Sequence, residues 1–184
     1  VKRFLFSMCR PSLCYGTPIS TLSADQWRVL QRRLVTLLLH KLRFNKHTPK
    51  ALIHASVGMG GIGIPDGYAE QGTQHILFLS KHLRSDSIVG QHLLLVLKWT
   101  HLLSGFLCQP LVNVQLPMPH VHAPWVTCTR EFLHSIHSHL ELTDISAFPL
   151  LRQGDASIME LALRELGPQS VKRLQRINAC RLYL

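Results

Sequence analysis

Apolar residues recurring every three or four positions, in successive segments separated by prolines and glycines, constrain this chain more than any other feature. That spacing places side chains on one face of a helix and on no single face of a strand. The clearest case follows Ser23-Ala-Asp-Gln26, which has the form of a capping box with Ser23 as cap and Gln26 reaching back. Trp27, Leu30, Leu34, Leu37, Leu38 and Leu42 then form an apolar seam. Arg28, Arg32, Arg33, Lys41 and Arg43 lie mostly off the seam, giving the predicted helix a positive back.

The breaks are equally informative. Thr48 precedes Pro49 and is pushed out of helical dihedrals, so the helix ends before residues 44–50. Ala51 to Ser56 fits a short extended segment, and Gly58 to Gly67 holds five glycines and Pro65, a turn or tight loop. A helix is predicted over Tyr68–Leu83, with Ile76, Leu79 and Leu83 inward. Asp86 can cap a long one over Ser87–Phe106, whose stripe runs Val89, Leu93, Val96, Trp99 or Thr100, and Leu103, broadened by Ile88, Leu95 and Leu102. Residues 109–124 hold four prolines and read as an irregular connection. Trp125, Cys128, Phe132, Ile136 and Leu140 mark a fourth helix. Asp155 can cap a fifth containing Ile158, Met159, Ala162 and Leu166, which Gly167-Pro168 ends. Ser170 begins the last, through Leu174 and Ile177. The expected fold class is all-α: about six helices in an irregular bundle, a Gly-rich loop near 58–67, and little or no sheet. With 46% hydrophobic residues, 184 residues can bury a real core. The stretch from Ile88 to Cys108 has the length of a membrane span, but Gln91, His92, Lys98 and His101 interrupt it, so we expect a buried core helix and no membrane partner.

The formal charge of +10 is concentrated. Residues 1–50 carry ten Lys and Arg against one acid, Asp25, whereas residues 51–150 carry four against six. A basic lobe on a near-neutral body suits phosphate binding through counterion release, with a merely solubilising surface as the bland alternative. Lys41, Arg43, Lys46 and Lys50 straddle the end of the first long helix. Cations there also favour the negative helix C-terminus, by roughly 0.3–1 kcal/mol. Only the phosphate reading explains why Lys46 and Lys50 continue the run past the helix. The five cysteines have irregular spacing and no Cys-x-x-Cys pair, so they read as reduced, mostly buried thiols of an intracellular protein, nuclear or cytoplasmic.

Other motifs fail on context. Gly58-Met-Gly60-Gly61-Ile-Gly63 matches the dinucleotide fingerprint, but Pro65 and Gly67 follow at once and block the helix that must open there. His134 and His137 are three apart and His120-x-His122 is near, yet two further ligands with familiar spacing are lacking, so no metal site is expected. Polymerase chemistry needs clustered aspartates for two metal ions. The five here, Asp25, Asp66, Asp86, Asp144 and Asp155, include no adjacent pair and no Tyr-x-Asp-Asp. Neither a Gly-x-Ser-x-Gly elbow nor an activated Cys–His pair can be read. No catalytic residue is therefore assigned.

Several stretches, taken in order, resemble the region just downstream of the palm in non-LTR retrotransposon reverse transcriptases of algal and other protist retroelements. They are Leu38-Leu-His-Lys-Leu-Arg-Phe-Asn-Lys-His-Thr-Pro-Lys-Ala-Leu-Ile53, Gly60-Gly-Ile-Gly-Ile64 with Tyr68-Ala-Glu-Gln-Gly72, His82-Leu-Arg-Ser-Asp86, Leu97-Lys-Trp99, Arg152, Asp155, Ile158-Met159 and Ile177-Asn178-x-x-Arg181-Leu-Tyr-Leu184. The resemblance runs from about Leu30 to Leu184 and rests on the order of weak motifs. It implies that residues 1–66 are the end of a reverse transcriptase domain, with a thumb-like basic helix and Gly-rich loop, and that 67–184 form a helical C-terminal extension. It implies template–primer RNA/DNA and an upstream palm domain of the same polyprotein as partners, with the catalytic aspartates and their Mg2+ in that palm and no cofactor in this segment. The start at Val1 and the apolar end at Leu184 lead us to expect a piece of a longer chain. The expected nucleic-acid-binding residues are Arg32, Arg33, Lys41, Arg43, Lys46 and Lys50, with Gly60, Gly61 and Gly63 forming a structural loop. We expect Arg152, Asp155 and Asn178 to fix helix packing by hydrogen bonds. A free-standing helical nucleic-acid-binding module and a non-functional retroelement relic are the alternatives.

Overall fold

A computed structural model of the chain describes residue 7 and residues 10–85, 87–143 and 156–182. Among them the regular elements are all helical: α1 (Arg10–Cys14), α2 (Ala24–Lys41), α3 (Lys50–His54), a 3₁₀ turn (Val57–Met59), α4 (Gly67–Arg84), α5 (Ile88–Ser104), α6 (Pro124–Ser135), α7 (Ile158–Leu166) and α8 (Val171–Leu182). The all-α expectation holds, with the six long helices where the periodicity puts them. The chain divides into two compact units, Val1–Phe78 and Leu79–Leu184, the division falling inside α4.

In the first unit the capping box forms as written: Ser23 Oγ accepts from the Gln26 amide and Gln26 Oε1 from the Ser23 amide. Leu39 of α2, flanked by Val35, Leu38 and Leu42, packs on Ile53, Ile62 and Ile64. The seam is narrower than expected. Leu30 and Leu37 fall to one side of the buried arc and are exposed. The extended segment expected at Ala51–Ser56 is instead mostly the short helix α3. Pro49, at its N-cap with φ −57°, presets the entry, and Ile53 anchors it in the core. The Gly-rich loop then folds back on α3. Ile62, Gly63 and Ile64 donate their amides to the carbonyls of Leu52, Ala55 and Ile53, at 2.9–3.0 Å. Gly61 lies so close that a Cβ would stand 2.1 Å from the Ala55 oxygen, while Gly60 and Gly63 take positive φ (80° and 78°). A helix rather than a strand precedes these glycines, so the dinucleotide geometry is not built. Gln71 of α4, almost fully buried, ties the rest together: its Oε1 accepts from Ser20 Oγ (2.6 Å), the Leu22 amide and Trp27 Nε1 (2.8 Å), and its Nε2 donates to the Leu22 carbonyl.

The second unit is organised around the C-terminus of α5. Phe106, Met159, Leu163 and Leu174 form its core, and α7 packs on α8. Ser87 caps α5 and Ser157 caps α7, where Asp86 and Asp155 were expected; those two aspartates, with Arg152, lie outside the described residues. The α5 stripe is misphased relative to the prediction. The helix buries Gly90, Leu97, Thr100, His101 and Ser104, and exposes Ile88, Val89, Leu95, Val96 and Trp99. Helix α6 ends at Ser135, so Ile136 is its exposed C-cap and Leu140 lies beyond it. Buried Arg130 explains how the Pro-rich connection is held: its guanidinium donates to the carbonyls of Pro110, Asn113 (2.9 Å) and Leu116. Burial lowers its pKa to about 10, which still leaves it protonated at neutral pH.

Candidate nucleic-acid interface

Helix α2 has two unlike faces. Val35, Leu38, Leu39 and Leu42 turn inward, and an adjoining outer arc carries Arg32 and Arg33 beside Val29, Thr36 and Leu37. Those five outer residues line an open groove of about 630 Å³. Both arginines are exposed.

The helix then stops without a glycine. Arg43 adopts φ 60°, Phe44 donates its amide to the Leu39 carbonyl (2.8 Å) and Arg43 its own to His40 (3.1 Å), which is a Schellman ending. A left-handed non-glycine residue costs on the order of 1 kcal/mol. Asn45 organises the next turn, its Oδ1 accepting from the His47 amide and its carbonyl from Thr48. Lys46 stands in this turn and Lys50 opens α3.

Lys41, Arg43, Lys46 and Lys50 therefore occupy one short helix–turn–helix connection, all exposed. Arg32 and Arg33 lie further back on α2. Among the described residues none of the six makes an ion pair; the acid on α2, Asp25, is held by Arg28 at 2.5 Å. Lys41 at the end of α2 gains from the helix dipole, whereas Lys50 in the first turn of α3 is opposed by it. Local helix electrostatics thus accounts for one lysine and not the other.

Residues 151–184 carry a smaller basic excess, six Lys and Arg against three acids, from which no binding residue was expected. Lys172, Arg173 and Arg176 are exposed on α8, a helix without any acidic residue. Two of them stand in its first turn, where cations are disfavoured. Three cations within five residues were the available signal.

Six of the twelve histidines fall into two groups. His134, His137 and His139 line a cavity of about 260 Å³ with residues 112–115 and Ser138, but only His134 is helical; His137 follows α6 at φ 52° and His139 lies beyond. No group of three or more His, Cys, Asp or Glu able to hold a metal ion occurs among the described residues. His75, His101 and His120 are buried. Burial lowers the pKa of each below the ordinary histidine value, opposed in part by backbone hydrogen bonds. Of the cysteines, Cys128 is buried, Cys14 and Cys108 are half-buried, and Cys180 is exposed, against the expectation of mostly buried thiols; all four are unbridged, and Cys9 lies outside the described residues.

Among the described residues the aspartates do not form a two-metal cluster. Asp25 is taken by Arg28, and Asp66 Oδ1 accepts from the Tyr68 amide at the start of α4. No helix among the described residues is long and apolar enough to cross a membrane. No protein-family model, curated protein or solved structure matches the chain.

Proposed function

We propose that this chain is a non-catalytic part of a retroelement RNA-directed DNA polymerase, and that its first unit grips the sugar–phosphate backbone of the template–primer duplex. The observation that carries the reading is the run of exposed cations, without ion pairs among the described residues, that continues from α2 through the turn and into α3, against the local helix dipole at Lys50. Cations on a turn reach successive phosphates, and such interactions fix position on a duplex without reading its bases. The resemblance of residues 30–184 to the post-palm region of non-LTR reverse transcriptases supplies the class of nucleic acid. On this reading the chain works beside a palm domain that holds the aspartates and Mg2+, in the nucleus or cytoplasm.

The test is binding to a fluorescent RNA–DNA duplex across a salt series, for the wild type and for K41A/R43A/K46A/K50A. All four side chains are exposed, so the variant should keep the wild-type circular dichroism and melting. Its slope of log affinity against log salt should flatten by roughly 0.9 for each phosphate that is no longer neutralised. An unchanged slope, or no binding by the folded wild type at low salt, would remove the proposed role and favour a relic.

A further inference from the structure

Helix α8 carries its positive charge where helix electrostatics least favours it. Lys172 and Arg173 stand in its first turn, against the dipole. Lys172 and Arg176 are four residues apart and Arg173 and Arg176 three, so two like-charge pairs share one face. All three side chains are exposed, and α8 itself holds no acid. The carboxylates of α7 are engaged elsewhere: Glu165 holds Arg164 at 3.2 Å, and Glu160 Oε1 accepts from the Leu107 amide at 3.4 Å. At 100° per residue the three cations span one arc of about 100°. Leu174 and Ile177 fall outside it and pack into the core with Phe106, Met159 and Leu163. Cys180, an exposed free thiol, lies on the cationic arc one turn beyond Arg176.

We infer that this face of α8 is a further contact for a nucleic-acid backbone, carried by the second unit in addition to the cations that follow α2. The inference rests on the preceding reading only for the kind of nucleic acid. A merely solubilising face would gain more from Asp or Glu, which aid solubility and suit the first turn of a helix. Three cations there cost local stability instead, and a polyanion offsets that cost by relieving the like-charge pairs and releasing its own counterions. Two of the three are arginines, whose planar fork can meet two phosphate oxygens at once. A lipid surface does not fit. An interfacial helix sinks apolar residues beside its cations, whereas here the neighbours of the arc are Gln175, Ala179 and Cys180, and the large apolar side chains Leu174 and Ile177 belong to the core.

The exposed thiol gives a local readout in the full wild-type chain. Maleimide labelling of Cys180, followed by mass spectrometry of its peptide, should slow several-fold with excess RNA–DNA duplex at low salt and recover as salt rises. The protection should persist in K41A/R43A/K46A/K50A, so loss of the role proposed for the α2 cations would leave this result standing. It should vanish in K172A/R173A/R176A, whose salt slope should flatten by up to roughly 2.7, about 0.9 for each phosphate. That variant sheds first-turn cations and like-charge pairs, so it should melt no lower than the wild type. Should it fail to fold, the wild-type labelling decides alone. Labelling of Cys180 that duplex leaves unchanged, or a wild-type salt slope in the folded α8 variant, would overturn the inference. Equal protection of Cys180 by poly-glutamate or by phosphatidylserine vesicles at matched charge would overturn it as well.

Discussion

Two helix ends, those of α2 and α5, solve the same problem in opposite ways. Each helix leaves carbonyls without intrahelical donors. At the end of α5 these are taken by side chains, one from within the helix and four from further along the chain. Ser104 Oγ donates to the His101 carbonyl (2.7 Å), Arg181 to Leu102 (2.7 Å), Asn178 to Leu103 (2.5 Å), His120 Nε2 to Ser104 (2.9 Å) and Ser157 to Gly105 (2.8 Å). Gly105, at φ 70°, leaves the space that Met159 and Arg181 occupy. At the end of α2 a local Schellman turn serves Leu39 and His40, and the surrounding cations remain in water. The polar side chains around α5 are therefore committed to the fold, Arg181 included, whereas the exposed cations after α2 make no ion pair among the described residues. A cation's role follows from what its neighbours have already satisfied, not from its charge.

The contrast can be strained from both sides. Gly61→Val forces a side chain onto the Ala55 carbonyl and should cost about 3 kcal/mol, at the upper end of overpacking penalties. Hydrogen exchange should show reduced protection in residues 50–64 first. Normal melting with normal exchange would mean that the loop tolerates displacement. Asn178→Leu, at a buried position, strips a donor from the half-buried Leu103 carbonyl and should cost about 2 kcal/mol by urea denaturation while leaving duplex binding by the folded protein unchanged. Weakened binding by this variant would erase the distinction between the two ends.

Arg43→Gly should do the reverse, stabilising the chain by about 1 kcal/mol through relief of the left-handed residue while flattening the salt dependence of duplex binding. Stability gained with no change in binding would make Arg43 a bystander. A pH titration gives the last and smallest expected effect. His75, His101 and His120 have folded-state pKa values below 6.5, so the unfolded chain binds more protons as the medium turns acidic. Their contribution is fully present above about pH 6.5 and is lost as pH falls from there through the folded values. Urea midpoints should drop over that range. A flat profile would show that these imidazoles are accessible to protons in the folded state.

Much of this was legible in residues near one another in sequence. Ser23 and Gln26 announced the start of α2, and Gly167 the end of α7. The cations of the candidate interface were legible as well, since exposure of Lys and Arg is the default. What misled was phase. On α5 ten of the seventeen residues are large and apolar and they ring the helix, so periodicity could not say which arc turns inward; the arc with the small residues Gly90, Thr100 and Ser104 does, and at Gly90 a Cβ would meet the His82 carbonyl. The left-handed Arg43 and His137 were invisible for a related reason: a glycine would have marked those helix ends, and neither has one.

The sequence by itself determined the six long helices, the capping box of α2 and the concentration of positive charge, because propensity, capping and ionisation act over a few residues. Tertiary structure decided which face of α5 is inside, that α3 is a helix on which the Gly-rich loop folds back, and that Asn178, Arg181 and His120 serve one helix end. Those choices depend on donors and carbonyls brought together from up to 79 positions apart along the chain. Buried carbonyls must find partners wherever packing delivers them, and no local pattern records that requirement.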